Sequence, residues 1–147
     1  MQSALDEAAA AVAHGDIPVG AVVVGPDGEI LARRHNEREL AGDPTAHAEI
    51  LALRDAAAAL GHWRLDGCSL VVTLEPCPMC AGAALAARVA TVAFGAADPK
   101  AGACGSLYNL AADPRLNHEF TVVAGIAADE AATLLRQFFA ARRGPLA

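Results

Sequence analysis

The chain has 147 residues, the size of one domain, and 54% of them are apolar, enough to bury a core. Its formal net charge of −6 at pH 7 argues against loose, charge-driven binding of nucleic acid over the whole surface. No basic leader and no apolar run of about 18 residues occur, so we expect no signal peptide, no membrane span and a cytosolic protein. Because disulfides are rare there, we interpret the cysteines as metal ligands, catalytic groups or buried thiols.

Helix-like and strand-like segments alternate along the first part of the chain. In order, the sequence predicts a helix over 3–14, a hairpin with strands at 19–24 and 29–33, a polar loop over 35–44, and a helix over 45–60. Glycines follow both helices, at Gly15 and Gly61, where a left-handed residue ends a helix well. The hairpin turn contains Pro26 and Gly28, residues that favour tight turns.

The second part continues the alternation. It predicts a buried strand over 68–74, a short helix over 78–87, a strand over 91–95, a long loop over 98–117, a strand over 120–124, and a last helix capped by Asp129 that ends near 143. This order predicts one domain spanning residues 1–147, with three α/β/α layers around a mainly parallel sheet that includes one antiparallel hairpin.

Two helix starts carry residues that bind metals. Cys77 and Cys80 are three residues apart, so both thiols of a first helical turn can reach one cation. Pro78 suits the first helical position, and a helix N-terminus favours the thiolate form of cysteine. His47 offers an imidazole from the preceding helix start. These three ligands suit Zn²⁺ and leave its fourth position open, as in catalytic zinc sites.

Glu49 lies two residues after His47 and is interpreted as a proton carrier rather than a ligand. Zinc lowers the pKa of bound water towards about 7, and a neighbouring carboxylate can move the protons of a hydrolytic deamination. The CxxC pair alone would also fit structural zinc or a redox pair. No fourth Cys or His occurs at motif spacing. We interpret Cys68 as a buried strand residue and Cys104 as a loop thiol that could approach the site.

The combination of HAE and PCPMC resembles the cytidine and deoxycytidylate deaminase superfamily. Longer stretches resemble the bacterial tRNA-specific adenosine deaminases within it, and they cover most of the chain: IPVGAVVV, HNER, DPTAHAEI, TLEPCPMCAGA, FGAADPKAGACGSL, LNHEF and FFAARR. The resemblance implies a cytidine-deaminase-like fold with a five-stranded mixed sheet. It also implies a homodimer in which each tRNA anticodon stem-loop touches both subunits, and deamination of the wobble adenosine to inosine.

The resemblance assigns roles to individual residues. It places His47, Cys77 and Cys80 on one zinc ion per subunit and makes Glu49 the proton shuttle. Asn36 matches the position that holds the flipped nucleoside. The remaining candidates for contacts with the RNA loop are Asp98, Lys100, Asn117, Phe138, Phe139 and Arg142. Phe138 and Phe139 cannot both face inward from one helix, so one of them could offer an exposed stacking surface.

Two other functions fit parts of the pattern. A deaminase of a free nucleobase or nucleoside, of the guanine or cytosine type, would share the fold and the metal site. A zinc-stabilised binding protein without catalysis would share the metal ligands but would not need Glu49. The GSL and LNHEF stretches and the terminal Arg pair favour RNA over a free base.

Overall fold

The computed structural model describes residues 1–144. In chain order the elements are α1 (Gln2–Ala11), a 3₁₀ turn (Val12–His14), β1 (Gly20–Val24), β2 (Ile30–His35), α2 (Arg38–Ala41), α3 (Ala48–Leu60), β3 (Ser69–Leu74), α4 (Pro78–Ala87), β4 (Thr91–Ala96), β5 (Thr121–Val123) and α5 (Ala128–Arg143).

The five strands form one mixed sheet in the order β2-β1-β3-β4-β5. β1 is antiparallel to both β2 and β3, whereas β3 and β4, and β4 and β5, are parallel. The prediction of a five-stranded mixed sheet is confirmed. The expectation of a mainly parallel sheet is wrong, because the hairpin strand β1 also pairs antiparallel with β3. Neither the order nor the apolar pattern of the strands determines which strands become neighbours.

Helices cover both faces of the sheet, which gives the three layers. α1 packs on β1 and β2 and contacts α5, while α3 packs on the same strands and contacts α4. Small residues allow this close packing. A side chain at Gly20 would collide with the backbone of α1 at Ala4 and Ala8, so only glycine lets that helix approach so closely. The main core consists mostly of Ala, Val and Leu, with Phe94, Phe120 and the two cysteines Cys68 and Cys104.

Several element boundaries in the structure differ from those predicted from the sequence. The region 35–44, predicted as loop, contains the end of β2 at His35 and the short helix α2. The helix predicted from residue 45 begins at Ala48, because His47 is extended, with φ −71° and ψ 149°. Asp129 does not cap α5. Ala127 occupies the cap position in a left-handed conformation with φ 54°, and Asp129 lies in the first turn.

In the described part of the chain, none of the helices combines the length and the apolar character that crossing a bilayer requires.

Candidate active site

Three potential metal ligands converge where α3 and α4 begin. His47 is the N-cap residue of α3, Cys77 is the N-cap residue of α4, and Cys80 lies in the first turn of α4. The Nδ1 atom of His47 lies 3.7 Å from the Cys77 sulfur and 3.4 Å from the Cys80 sulfur. Within residues 1–144, this is the one cluster of at least three His, Cys, Asp or Glu ligand atoms, all within 4.8 Å of one another.

The local sequence explains why the two helices begin there. Pro78 occupies the first position of α4, where its missing N–H leaves no hydrogen bond unmade. The first N–H of α3, from Ala48, is bonded by the side-chain Oδ1 of Asn36 at 2.9 Å. The positive ends of both helix dipoles therefore point at one site, where they favour thiolates and carboxylates.

The donor set fits a zinc ion. Tetrahedral zinc, with Zn–N of about 2.0–2.1 Å and Zn–S of about 2.3 Å, places nitrogen and sulfur ligands about 3.6 Å apart. The observed separations of 3.4 and 3.7 Å lie on either side of that value. The hydrogen bond from Cys80 and the neighbouring His47 lower the pKa of Cys77 to about 4, whereas the pKa of Cys80 is raised. Two thiolates and a neutral imidazole would balance the charge of a divalent ion.

Glu49 lies beside these donors but is buried within the protein. Only 4% of the residue is exposed, and its Oε2 lies 3.8 Å from Nδ1 of His47. Burial raises the pKa of Glu49 to about 7. A carboxyl group with that pKa can both accept and release a proton near neutral pH, which is what a proton carrier requires.

A cleft of about 170 Å³ opens over this group. Its walls include Ile17, Asn36 and Arg38 on one side and Leu74, Glu75 and Asp98 on the other, with His47, Glu49 and Cys77 at the site itself. The cleft lies beyond the C-terminal end of β3, next to the start of β1, because β1 runs antiparallel to β3. Arg38 belongs to α2, in the segment whose polar sequence predicts only a loop.

Asn36 has a structural role that the sequence does not indicate, because its side chain bonds two backbone groups. Its side-chain Nδ2 donates to the carbonyl of Ile17 at 3.1 Å, and its Oδ1 accepts from Ala48. An Asn amide has two N–H donors. One N–H of Asn36 is therefore left for a bound molecule, and the residue also holds the wall of the cleft together.

Glu75 fixes the far wall of the cleft, a role that sequence patterns do not single out. This residue is 2% exposed and follows the last residue of β3. Its carboxylate accepts hydrogen bonds from the backbone N–H groups of Asp98, Cys104 and Ser106 and from the Ser106 hydroxyl. The segment 98–106 is thus tied directly to the residue two positions before Cys77. The sequence offers one signal for this role: Glu75 is an acidic residue placed between an apolar predicted strand and Pro76.

The sequence of the chain is similar to those of known deaminases. Residues 1–96 match the family model described as the cytidine and deoxycytidylate deaminase zinc-binding region. A curated tRNA-specific adenosine deaminase of Bacillus subtilis (strain 168) is 50% identical over 139 residues, which cover 95% of this chain and 86% of that protein. The chain belongs to the tRNA-specific adenosine deaminase family. Both the deaminase fold and the zinc-binding family predicted from the sequence are confirmed.

Solved structures agree with this membership. One, from a study of A-to-I editing by tRNA:A34 deaminases at the wobble position of transfer RNA, superposes with a TM-score of 0.88 at 44% identity, covering 92% of this chain and 97% of that one. A guanine deaminase from Nitrosomonas europaea superposes with a TM-score of 0.78 at 31% identity, covering 95% of this chain and 82% of that one. The fold alone therefore accommodates both substrate classes.

The residues predicted from the sequence to contact RNA lie mostly beside the cleft. Phe138 is buried at 8% exposure, whereas Phe139 is 43% exposed. Both line a second cleft of about 120 Å³, which shares Ile17, Asn36 and Arg38 with the first. A groove of about 460 Å³ continues from Phe139 past Lys100 and Arg143. Asp98 lines the metal cleft, and its Oδ1 accepts from the backbone N–H groups of Lys100 and Ala101.

Two predicted RNA contacts differ from the rest. The Arg142 guanidinium donates to the carbonyl of Gly15, and its central carbon lies 4.5 Å from the Phe138 ring centroid. Arg142 therefore anchors the end of α5, in addition to lining the groove. Asn117 is exposed and precedes β5, at the end of the sheet opposite the metal cleft of the same subunit.

The other two cysteines lie outside the ligand group. Cys68 is buried as predicted, but it lies just before β3 rather than in the strand. Cys104 is buried on the 98–106 segment, and burial raises the pKa of its thiol to about 12, which keeps it protonated. It lines a separate pocket beyond Glu75 and does not join the metal ligands.

Proposed function

We propose that this chain is a zinc-dependent hydrolase that converts the wobble adenosine of a tRNA anticodon loop to inosine. We also propose that residues 1–147 form a single deaminase domain. The observation that carries the proposal is the buried Glu49 carboxyl beside the His47, Cys77 and Cys80 group, in a cleft bordered by an exposed aromatic ring and a basic groove.

His47 Nδ1 and the sulfurs of Cys77 and Cys80 would hold one zinc ion per subunit. The ion would supply an activated water molecule at neutral pH. The part of the chemistry that this chain contributes is proton transfer and positioning. Its residues hold the reacting ring, exclude bulk water from Glu49 and present a carboxyl group that can exchange protons near pH 7.

Glu49 would act twice in the reaction. It takes a proton from the attacking water and delivers it to the adenine ring nitrogen. It then takes the second proton of that water and delivers it to the exocyclic amine, so that the C–N bond breaks and ammonia leaves. Water and adenosine thus give inosine and ammonia. The carboxylate returns to its starting state, which is why one residue suffices.

The substrate is proposed to be an unpaired loop rather than a free base. A base must be turned out of its stack to enter the small cleft, and an unpaired loop lowers that cost. Asn36, whose amide has an N–H to spare, lines this cleft together with Asp98. Flanking nucleotides would stack on Phe139 and place their phosphates near Lys100, Arg142 and Arg143.

Free guanine is the second candidate substrate. The Nitrosomonas europaea guanine deaminase shares the fold with this chain, and the metal cleft is large enough to hold a base. The higher identity to a tRNA-specific enzyme, 50% over 95% of the chain, favours RNA. The basic groove beside Phe139 supports the same choice, because a free base would have no use for it.

The test is a direct comparison of substrates. The purified protein is incubated with a tRNA whose anticodon begins with adenosine, and the product is sequenced for inosine. The same tRNA with guanosine at that position is the matched control, and ammonia release from guanine and from cytosine is measured in parallel. We expect inosine at the wobble position and no ammonia from the free bases. Rapid deamination of guanine with unchanged tRNA would refute the RNA assignment and leave the zinc site intact.

We further propose a homodimer in the bacterial cytoplasm, where such a tRNA would be met. Exposed apolar side chains beside the site support the dimer, among them Met79 in the first turn of α4 and Leu107 and Tyr108 in the long loop. A partner seated there would also explain how Asn117, remote from the cleft of its own subunit, could take part in binding the stem-loop. The mass in solution at micromolar concentration tests this arrangement.

A further inference from the structure

Two histidines outside the cleft face each other at the ends of neighbouring elements. His14 ends the 3₁₀ turn and His35 ends β2. Their Nε2 atoms are 3.1 Å apart, while the ring centroids are 5.1 Å apart. The nitrogen edges of the rings therefore point at one another. Both side chains are about one-fifth exposed, at 19% and 20%.

A carboxylate holds the other nitrogen of each ring. Nδ1 of His14 lies 2.7 Å from Oδ2 of Asp16, and Nδ1 of His35 lies 2.8 Å from Oε2 of Glu7. Asp16 is 2% exposed and also accepts the backbone N–H groups of Glu39 and Leu40 at the start of α2. Burial opposes ionisation, but these hydrogen bonds prevail and lower the pKa of Asp16. Glu7 also faces the guanidinium of Arg33 at 3.5 Å.

These contacts decide where the ring protons are. An ionised carboxylate only accepts hydrogen bonds, so Nδ1 of each histidine must be the donor. A neutral imidazole with its proton on Nδ1 carries a lone pair on Nε2. Two such lone pairs facing each other at 3.1 Å repel, unless a proton or a metal cation lies between the two Nε2 atoms.

We propose that the Nε2 atoms of His14 and His35 bind a divalent transition-metal ion of borderline softness, such as Zn²⁺ or Cu²⁺, at a second site separate from the deaminase cleft. Tetrahedral coordination with metal–nitrogen bonds of about 2.0–2.1 Å places two nitrogens about 3.4 Å apart, close to the observed separation. Metal-binding histidines almost always donate their other N–H to a carboxylate or carbonyl. Both histidines here have a carboxylate partner in that position.

Charge and exposure also suit a metal ion. The carboxylates of Asp16 and Glu7 place two negative charges behind the rings, and the Arg33 guanidinium beside Glu7 offsets one of them, so a divalent ion between the rings would be partly balanced. Both side chains are partly exposed, so water could reach the pair to complete the coordination. With only two protein ligands, the ion should exchange readily, and Cu²⁺ should bind more tightly than Zn²⁺.

Metal stoichiometry tests the proposal on the untagged, full-length protein. Wild type, H14Q, H35Q and H62Q are dialysed against micromolar Zn²⁺, and metal per chain is measured by mass spectrometry. His62 is exposed and outside the pair, so H62Q is the matched control. We expect H14Q and H35Q to bind one ion fewer per chain than wild type, and H62Q to match wild type. Equal stoichiometry in all four proteins would overturn the proposal.

A second measurement uses wild type alone, so it stands even where a variant folds poorly. After zinc saturation, one equivalent of Cu²⁺ is added and the electron paramagnetic resonance spectrum is recorded. We expect hyperfine splitting from two imidazole nitrogens. Nitrogen-15 NMR of the same zinc-saturated protein distinguishes the competing occupant. A proton shared between the two Nε2 atoms that persists at saturating metal would show that the pair holds a proton only, and the proposal would be wrong.

Discussion

Glu49 and His47 are separated by one residue, yet their surroundings give them different chemistry. The imidazole of His47 is partly exposed and its Nδ1 faces two sulfurs. The Glu49 carboxyl is buried, and its pKa is raised to about 7. The extended conformation of His47 followed by the first turn of α3 separates the two side chains. One short motif therefore offers both a potential metal ligand and a buried carboxyl group suited to carrying protons.

This separation predicts how Glu49 variants behave. Glu49→Gln should lower the rate of inosine formation by at least about 10²–10⁴-fold, the range expected for loss of a general acid–base group. Zinc content should stay unchanged, because the three metal ligands remain. The measurements are single-turnover kinetics and metal analysis on the same sample. Glu29→Gln, at an exposed position on the hairpin, serves as the control. Retention of a tenth of the activity by E49Q would disprove the assigned role.

At the scale of elements, two glycines, one in a strand and one in a helix, differ in what surrounds them. A Cβ atom at Gly20, in β1, would overlap the carbonyl of Ala4 in α1. A Cβ atom at Gly82, in α4, would meet nothing within 4 Å. Gly20 therefore sets the distance between α1 and the sheet. Gly82 has no such packing role, and a glycine at this position makes α4 less stable than an alanine would.

Alanine at these two positions should have opposite effects. Gly20→Ala should lower the free energy of unfolding by about 1–3 kcal/mol or more, because the helix must shift away from the sheet. Gly82→Ala should raise it by about 0.5–1 kcal/mol, because alanine restricts the unfolded chain and favours the helix. Urea denaturation of both variants measures the difference. Equal stability would mean that α1 does not approach the sheet as closely as described.

The hydrogen bonds of Glu75 predict a further effect at this scale. In Glu75→Gln, an N–H group must face a donor N–H of the 98–106 segment, at a cost of about 1–3 kcal/mol. We expect faster hydrogen exchange in that segment and weaker substrate binding, with zinc retained. Glu29→Gln, on the exposed hairpin, is the control. Protected amides over 98–106 in E75Q would contradict the prediction.

The hydrogen bonds of Glu75 also make the stability of the protein depend on pH. Burial alone would raise the pKa of Glu75, but the hydrogen bonds that it accepts lower it below the usual 4.5. A lowered pKa means that the stabilisation is complete above about 4.5 and is lost as the pH falls below it. Wild type should therefore lose stability on acidification more steeply than E75Q, which thermal unfolding at several pH values measures.

Local signals determined how well each element could be predicted. The bounds of α4 agree with the prediction to the residue, because Pro78 marks its start within the sequence. The start of α3 was misplaced by three residues, because it depends on Asn36, twelve positions away. The CxxC spacing and the position of His47 at a second helix start predicted the three potential metal donors, whose ligand atoms lie close together in the structure. The roles of Glu75 and Arg38 depend on contacts across the fold, which no local pattern contains.

At the scale of the whole molecule, the charge is unevenly distributed. The chain carries −6 overall, yet one groove gathers Lys100, Arg136, Arg142 and Arg143 around Phe139. A nucleic acid would be repelled by most of the surface and attracted here. Binding should therefore depend on very few phosphate contacts, and its dependence on salt should be shallow for an RNA-binding protein.

Charge removal in the groove tests this view. Arg143→Gln and Lys100→Gln should each weaken binding of an anticodon stem-loop. Each should also reduce the slope of log K against log salt by about 0.7, the value for one phosphate contact on a single strand. Arg54→Gln, exposed on α3 outside the groove, should change neither. Fluorescence anisotropy at several salt concentrations gives both quantities. Identical slopes for all variants would place the RNA elsewhere.

The spacing of the potential metal donors along the chain would tie the lifetime of the protein to the supply of the metal. Nδ1 of His47 and the sulfur of Cys77 belong to residues thirty positions apart, on two helices that a strand separates. An ion bound by both residues would act as a reversible cross-link that closes this stretch of chain into a loop. Unfolding breaks the cross-link, so metal binding would stabilise the folded chain. Scarce zinc would then populate the opened chain, the form that proteases degrade. Cells short of zinc would lose this enzyme by turnover as well as by inactivity.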